Sequence, residues 1–490
     1  MSKTKKKLPV WLKVTILLIV AVILFIAGRF LYTTFIDPMG AFDAPSTPSP
    51  VVTAGPIVPT PAPTLSPEEQ LKADEDQLKA DADMDFMKNR VNILMLGWDQ
   101  SPERDDAGNV MYRDEDNNFR SDVIMLMTLD FEKKTCDLIS VPRDTLAPIY
   151  KSDGELYSST AHYKINAAFA KGGSTDGDGF GYARTTIGKL LQVPIDYYVG
   201  VDMTGLKAVV DAMGGVDYDV DVRIVLNGRV LEKGMQHLNG QQVLDYCRAR
   251  KGISTDVGRN DRQQRILFAI FEQLKSRKQL ANFPNIYLSL KDYINTNLDF
   301  KQISALCVFG LDLDMQNMRR HTLEGEYVNN TAYSNASYYA LKNDELAAMM
   351  KDIFGTTITT DNRYDVAYVL ADKSAGIALD YVKASYYIMD MLGIEYSGYS
   401  SFEVDELLSA IDEVKSVAER KLPDSLSDDE KYQRLQTPLD KTACDAAGER
   451  IRNALLTLCT NYGVTQLHVD KKIVPKELYT LLPSGTWETE

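Results

Sequence analysis

The sequence predicts an α/β protein, an α+β-like layered domain whose central mixed β-sheet is flanked by helices. A transmembrane helix precedes this domain and an α-rich extension follows it. Three observations carry this reading. Short apolar runs, VNILML, DVIMLMTL and TCDLISV, are partly β-branched and each is ended by Gly, Asp or Pro, as buried strands are. Stretches of helical periodicity alternate with strand-like ones at the spacing of a layered sheet. A run without a single charge, residues 14–28, follows the lysines at 3, 5, 6, 7 and 13.

Counting residues 10–31, with Lys13 and Arg29 reaching outward, gives 22 residues, about 33 Å of helix against a hydrocarbon core of roughly 30 Å. No small-x-small pair follows the apolar run, so we read an uncleaved anchor in preference to a signal peptide. The basic flank is N-terminal, which places residues 1–9 in the cytoplasm and the rest outside, on a single-pass cell-membrane protein. Residues 32–89 read as a linker: 38–67 hold 9 of the 19 prolines, an extended spacer, and 68–90 form a charged, solvated helix.

The sheet-bearing domain is predicted over residues 90–355. Its helices are expected at 165–171, 182–191, 203–213, 241–249 and 260–278, with IDYYVGV and VDYDV as further strands. Beyond it, 356–490 are α-rich: Val404, Leu407, Leu408, Ile411, Val414 and Val417 mark one apolar helix face, 442–458 a second helix, and VTQLHV a strand.

A net charge of −15 repels nucleic acid over most of the surface, so any anion site is a local exception. Five scattered cysteines with no CxxC read as buried free thiols, a Cys444–Cys459 disulfide being the alternative. His162, His237, His321 and His468 fit no catalytic pattern and are read as structural.

The exception in charge is a short one. Arg248, Arg250, Lys251, Arg259, Arg262 and Arg265 face only Asp256 and Asp261, a local +4. On a helix from 260, Arg259, Arg262 and Gln263 fall on one side as a donor row at the N-terminus. Arginine binds phosphate in a bidentate fork and the helix dipole adds to it, so a di- or triphosphate-like anion is the expected ligand; a solvated helix face is the ordinary alternative. Other charges collect at strand ends: Asp99 after the first strand, Arg120 and Asp122 opening the second, Arg143 after the third, and Lys164 before a helix. Asp99 and Asp122, on adjacent strands, suit a hard cation such as Mg²⁺ shared with phosphates. Ile187, Leu190, Leu191, Val209, Val210, Leu267, Phe268 and Phe271 are core at helical spacing or the wall of an apolar groove.

NILMLGWD, RSDVIMLMTLD, SVPRDT, KINAAFAKGG, IDYYVGVD, GGVDYDV, HLNGQQVLDYCRAR and DVGRNDRQQR, in this order, resemble the LytR-CpsA-Psr (LCP) proteins of cell-wall assembly over residues 90–325, more weakly to 355. The resemblance implies a Mg²⁺-assisted phosphotransferase that moves a glycopolymer from a polyprenyl-pyrophosphate carrier to peptidoglycan. Arg120, Arg143, Arg248, Arg250, Arg259 and Gln263 would grip the pyrophosphate, with Lys164 a further contact and Asp99 and Asp122 holding the metal. The catalytic roles fall to Arg120, Arg143, Arg248 and Asp256, the last orienting its arginines or taking the acceptor proton. Two departures bear on site shape: Trp98, where the family usually has a smaller residue, and an acidic insertion at 101–119. Hydrolysis of the same lipid, or binding without turnover in a regulatory protein, are the competing readings.

Overall fold

The computed structural model describes residues 66–99, 119–158, 163–226, 228–249, 256–276, 279–329, 337–394, 402–423 and 425–463, with short pieces at 103–104, 110–111, 473–475 and 478. The predicted anchor at 10–31, the proline-rich spacer, most of the 101–119 insertion, Arg250, Lys251 and VTQLHV lie outside the described residues. Side chains at 256–261, Asp256 and Arg259 among them, do as well.

Helix α1 (Pro67–Asp81) leads to three antiparallel neighbours, β1 (Val91–Trp98), β2 (Ser121–Asp130) and β3 (Thr135–Ser140). A two-residue ladder of β4 (Leu146–Ala147) and β5 (Tyr163–Lys164) then precedes helices α2 (Ala167–Lys171) and α3 (Gly179–Leu191). β6 (Tyr197–Asp202) returns parallel to β1, and Asp202 caps α4 (Met203–Ala212) by accepting from the Gly205 amide at 2.7 Å. Next come two small ribbons: β7 (Val216–Val220) pairs with β10 (Gly234–Leu238), and between them β8 (Ile224–Leu226) pairs with β9 (Arg229–Leu231). Helix α5 (Gly240–Arg248) starts on an Asn239–Gln242 capping box and is followed by the arginine helix α6 (Asp256–Ser276). The domain continues through α7 (Phe283–Leu290), β11 (Ile294–Thr296), α8 (Phe300–Asp312), β12 (Met318–Thr322), β13 (Gly325–Val328), β14 (Tyr338–Leu341) and α9 (Asn343–Phe354).

The six-stranded sheet runs β11-β6-β1-β2-β3-β12, with parallel β1–β6 and β3–β12 pairs among antiparallel ones. It is the predicted mixed sheet. β1 is apolar on both sides because both are covered. Leu94, Leu96 and Trp98 join Ile187, Leu191, Leu346 and Met350 of α3 and α9 on one face. Gly200 on β6 has no side chain for a reason: a Cβ there would stand 2.5 Å from the Phe180 ring. The other face meets α4, α5 and α6, whose own core is Val210, Val243, Tyr246, Ile266 and Ile270.

One expectation changes. The segment 68–89 is not wholly a solvated linker: Leu78 of α1 is buried with Val91, Leu129, Ile303 and Phe309. Its apolar residues were too sparse to draw a stripe, yet one buried leucine suffices to dock a helix. All five cysteines are free and buried, as the sequence reading has them, and the alternative disulfide between Cys444 and Cys459 does not form. Both sit on α13 (Lys441–Asn461), fifteen residues apart and so about 22 Å along the axis, far beyond disulfide reach. With α13, the helices α10 (Val366–Met391), α11 (Phe402–Ala418) and α12 (Asp428–Gln436) make the extension α-rich as expected; α10, α11 and α13 share a second core around Ala378, Leu407, Ile411 and Leu455. Among the described residues no helix is long and apolar enough to cross a membrane.

Candidate functional site

A register shift between β1 and β2 builds the rim. Gly97 pairs with Val123 and Trp98 with Ser121, so Asp122 is the extra residue of a β-bulge. Such a bulge re-aims a side chain at a strand end. Asp99, one residue past β1, and Asp122 thereby line the same space.

That space is a cavity of about 870 Å³ between the open sheet face and helices α4 to α6. Its walls are Met95, Val123, Met125, Val199, Val201, Leu206, Ile266 and Leu267; Asp99, Asp122, Asp202, Arg248 and Gln263 bring polar groups to it. The shape suits an amphiphile, with hydrocarbon along the sheet and an anionic head at the rim.

Each rim acid holds a cation. Arg248 Nη2 lies 2.5 Å from Asp99 Oδ2, and Arg143 Nη1 2.5 Å from Asp122 Oδ1. Asp144 extends the chain, 3.9 Å from Arg143 Nε and 3.0 Å from Lys164 Nζ. Predicted residues from five separate segments thus form two ion-paired groups, Asp99 with Arg248 and Asp122 with Arg143, which Asp144 joins to Lys164. Asp99, Asp122, Arg248 and the buried Gln263 of α6 border the same cavity. Arg120 is exposed at the start of β2 and has no ion pair among the described residues.

Arg262 is a different case. It is 2% exposed, donates to the Ala249 carbonyl at 2.6 Å and lies 5.9 Å from the Tyr246 ring centre, and it does not line the cavity. The predicted donor row therefore splits, because Gln263 and Arg262 stand about 100° apart around the helix and only one can face the cavity. Arg265 pairs with Asp221 at 2.6 Å, and Asp221 also accepts from the Tyr246 hydroxyl at 3.0 Å. Burial alone would raise the Asp221 carboxyl, but these hydrogen bonds outweigh it and hold it below its ordinary value. Gln264 donates to the His321 carbonyl at 2.6 Å. Arg262, Gln264 and Arg265 together clamp α6 to α5, the β7–β8 turn and β12.

Of the apolar residues proposed for a groove, Val209 and Leu267 line the cavity, whereas Ile187 and Leu191 belong to the opposite sheet face. Trp98 is also on that opposite face, 5.3 Å from Phe169 and 5.9 Å from Phe180 by ring centres, so its size fills core and leaves the site's shape untouched. Asp144 and Asp202 were missed by the sequence reading; their signal was position at strand ends beside residues already chosen. His237 and His321 hydrogen-bond Asp217 and Asp137 at 2.6 and 2.8 Å, in structural pairs.

For a metal, the described residues offer no group of three or more His, Cys, Asp or Glu. Two carboxylates alone do not complete a Mg²⁺ shell, but two carboxylates with phosphate oxygens and water do. Asp99 and Asp122 fit a cation that arrives with a phosphorylated ligand.

Residues 64–355 match the model of the LytR_cpsA_psr family. The polyisoprenyl-teichoic acid–peptidoglycan teichoic acid transferase TagV of Bacillus subtilis (strain 168) is 33% identical over 231 residues, 46% of this chain and 54% of that protein. The transferase of the same description called TagU, from Bacillus mycoides (strain KBAB4), is 35% identical over 217 residues, 44% of this chain and 62% of that protein. The match spans less than two thirds of either relative. The crystal structure of B. subtilis TagV aligns with 55% of this chain and 99% of its own at 27% identity, with a TM-score of 0.45.

Proposed function

We propose that this chain, which belongs to the LytR-CpsA-Psr family, transfers a glycopolymer phosphate from a polyprenyl-pyrophosphate carrier to peptidoglycan, acting outside the membrane that its N-terminal segment would anchor it to. One observation carries the reading: a rim of paired arginines and acids borders an apolar cavity of about 870 Å³, which matches a diphosphate head on a hydrocarbon tail. The names of the two relatives agree in describing teichoic acid moved from a polyisoprenyl carrier to peptidoglycan.

Magnitudes divide the labour. Burying each methylene contributes about 0.8 kcal/mol, so ten carbons of tail supply about 8 kcal/mol before the entropy of association. Solvent-accessible ion pairs contribute roughly 0–1 kcal/mol each. The tail supplies affinity and the rim supplies chemistry.

In the transfer, an acceptor sugar hydroxyl oxygen bonds to the phosphorus next to the glycan. The bond from that phosphorus to the bridging oxygen breaks, prenyl monophosphate leaves with the electron pair, and the hydroxyl proton passes to water. Arg143 and Arg248 hold their guanidinium groups ready through Asp122 and Asp99, so charge developing on the phosphates meets donors that need little reorganisation. Lys164 adds a point charge through Asp144, and Gln263 an amide. Asp99 and Asp122 would hold Mg²⁺, which when bound neutralises phosphate charge. Arg120, Arg250, Arg259 and Asp256 complete the proposed set, Asp256 orienting the arginines; Arg262, hydrogen-bonded inside the protein, serves α6 instead of the ligand.

The test is lipid identification. Full-length protein extracted in mild detergent and analysed by mass spectrometry should carry a polyprenyl phosphate or pyrophosphate, depleted when the cavity-lining Val201 is changed to Trp. Diacyl phospholipid alone, in equal amounts in both proteins, would contradict the reading.

A further inference from the structure

The β8–β9 ribbon has two unlike faces. Ile224 and Leu231 pair across it and are buried in the core beneath. The next pair, Val225 and Val230, points the other way and is 58% and 49% exposed. On a ribbon with one face packed, the outer positions are ordinarily polar. Here they are β-branched and apolar, and Met235, just past the following turn, is 74% exposed.

Isolated exposed apolar residues need no explanation. Val225 differs by position: with Leu226 it also lines the cavity. A residue that lines the cavity and is more than half exposed stands where the cavity meets the outside, so Val225 and its cross-strand partner Val230 continue the cavity wall onto the surface, with Met235 exposed five residues after Val230. Lys233 is exposed beside the ribbon, and Arg223 and Arg229 flank it with acid partners Glu232 and Asp245 at 3.1 and 2.6 Å. Asp219, exposed, stands opposite Met235, so the charges around the ribbon are largely paired and its apolar tip can enter a membrane interface while they stay at the surface.

We infer that the β8–β9 ribbon, with Met235, dips into the outer leaflet of the bilayer, so that the cavity opens against lipid and a tail passes between the two without crossing water. The inference rests on the lipid-carrier reading for its purpose, but the contact itself is measurable without turnover.

Burial pushes the Cys136, Cys247 and Cys307 thiols up to about 12 and Cys459 to about 11, and Cys444 is raised as well. A cysteine introduced on the surface is therefore the one that labels. Full-length Val230→Cys protein carrying an environment-sensitive fluorophore, in phosphatidylcholine–phosphatidylglycerol vesicles, should show blue-shifted emission quenched several-fold by brominated acyl chains. Tyr462→Cys, exposed at the end of α13, is the reference and should stay water-like. A Val230 label as water-like as the Tyr462 label overturns the inference. So does a blue shift that appears without lipid as protein concentration rises, which would assign the ribbon to a second copy of the chain. In a second arm, Val230→Asp with Met235→Asp should slow transfer from a vesicle-embedded carrier about tenfold and leave a short-chain, water-soluble carrier unaffected. Equal slowing of both carriers counts against the membrane contact. Lipid-quenched fluorescence with no turnover of either carrier would instead remove the transfer reading and leave the contact standing.

Discussion

On one face of the central sheet Trp98, Phe169 and Phe180 meet at ring distances of 5.0 to 5.9 Å. On the other, Met95, Gly97, Val199 and Val201 from the same strands border about 870 Å³ of space. Adjacent residues of β1, Gly97 and Trp98, thus serve an open face and a filled one. At about 24 cal/mol per Å³, an enclosed void of that size would cost roughly 20 kcal/mol, more than the 5–15 kcal/mol by which a whole domain is stable. The open face is sustainable because it communicates with the outside and takes a ligand; the filled face is what carries the stability that permits it.

Breaking the rim of the open face should have the largest effect. Arg248→Ala removes a donor poised over the cavity, and transfer should fall by about 10²–10³-fold. The melting temperature should move by only about 2–4 °C, in keeping with a loss near 1 kcal/mol. Rates and calorimetry on the same preparation check both halves. Next, on the filled face, Phe169→Ala should cost about 3–5 kcal/mol in chemical unfolding. Filling the open face reverses that pattern: Val201→Trp should lower binding of a prenyl lipid at least tenfold in a direct titration, with stability unchanged or improved.

The smallest effect concerns acid. Burial would raise the Asp137 carboxyl, but hydrogen bonds from His321 and Arg319 outweigh it and hold it below its ordinary value. A carboxyl lowered on folding stabilises the protein above its unfolded pKa of about 3.9, and that contribution is lost as pH falls through the lower folded value. Asp137→Asn should therefore flatten the decline of urea midpoints below about pH 4, and leave the rim's activity at neutral pH within about twofold. A decline as steep as that of the parent protein would show that other groups govern acid stability.

Much of this contrast was legible in the sequence. Apolar runs ended by Gly, Asp or Pro located β1, β2 and β3, and charges at strand ends and ahead of a helix picked out Asp99, Asp122, Arg143 and Lys164, of which Asp122 pairs with Arg143 and Lys164 joins them through Asp144. What could not be read was direction. Arg262 and Gln263 are neighbours in one basic run, yet the first turns inward to the Ala249 carbonyl and Tyr246 ring while the second borders the cavity. Emptiness has no letter either: Met95 and Leu94 read alike, although one lines a cavity and the other a core. Asp122's exposure to the site depends on a one-residue register shift that alternation cannot reveal. Leu78 was missed because a single buried residue leaves no period.

The central claim is that the rim acts on a phosphorylated lipid lying in the open face, and transfer itself tests it most directly. Full-length protein in vesicles would be given a polyprenyl-pyrophosphate carrier with a radiolabelled glycan, with and without peptidoglycan, alongside the Asp99→Asn and Asp122→Asn double variant. The account predicts label joined to peptidoglycan by phosphodiester, prenyl monophosphate released in equal amount, and neither product from the double variant. Release of prenyl monophosphate at the same rate without acceptor, or full activity in the double variant, would contradict it.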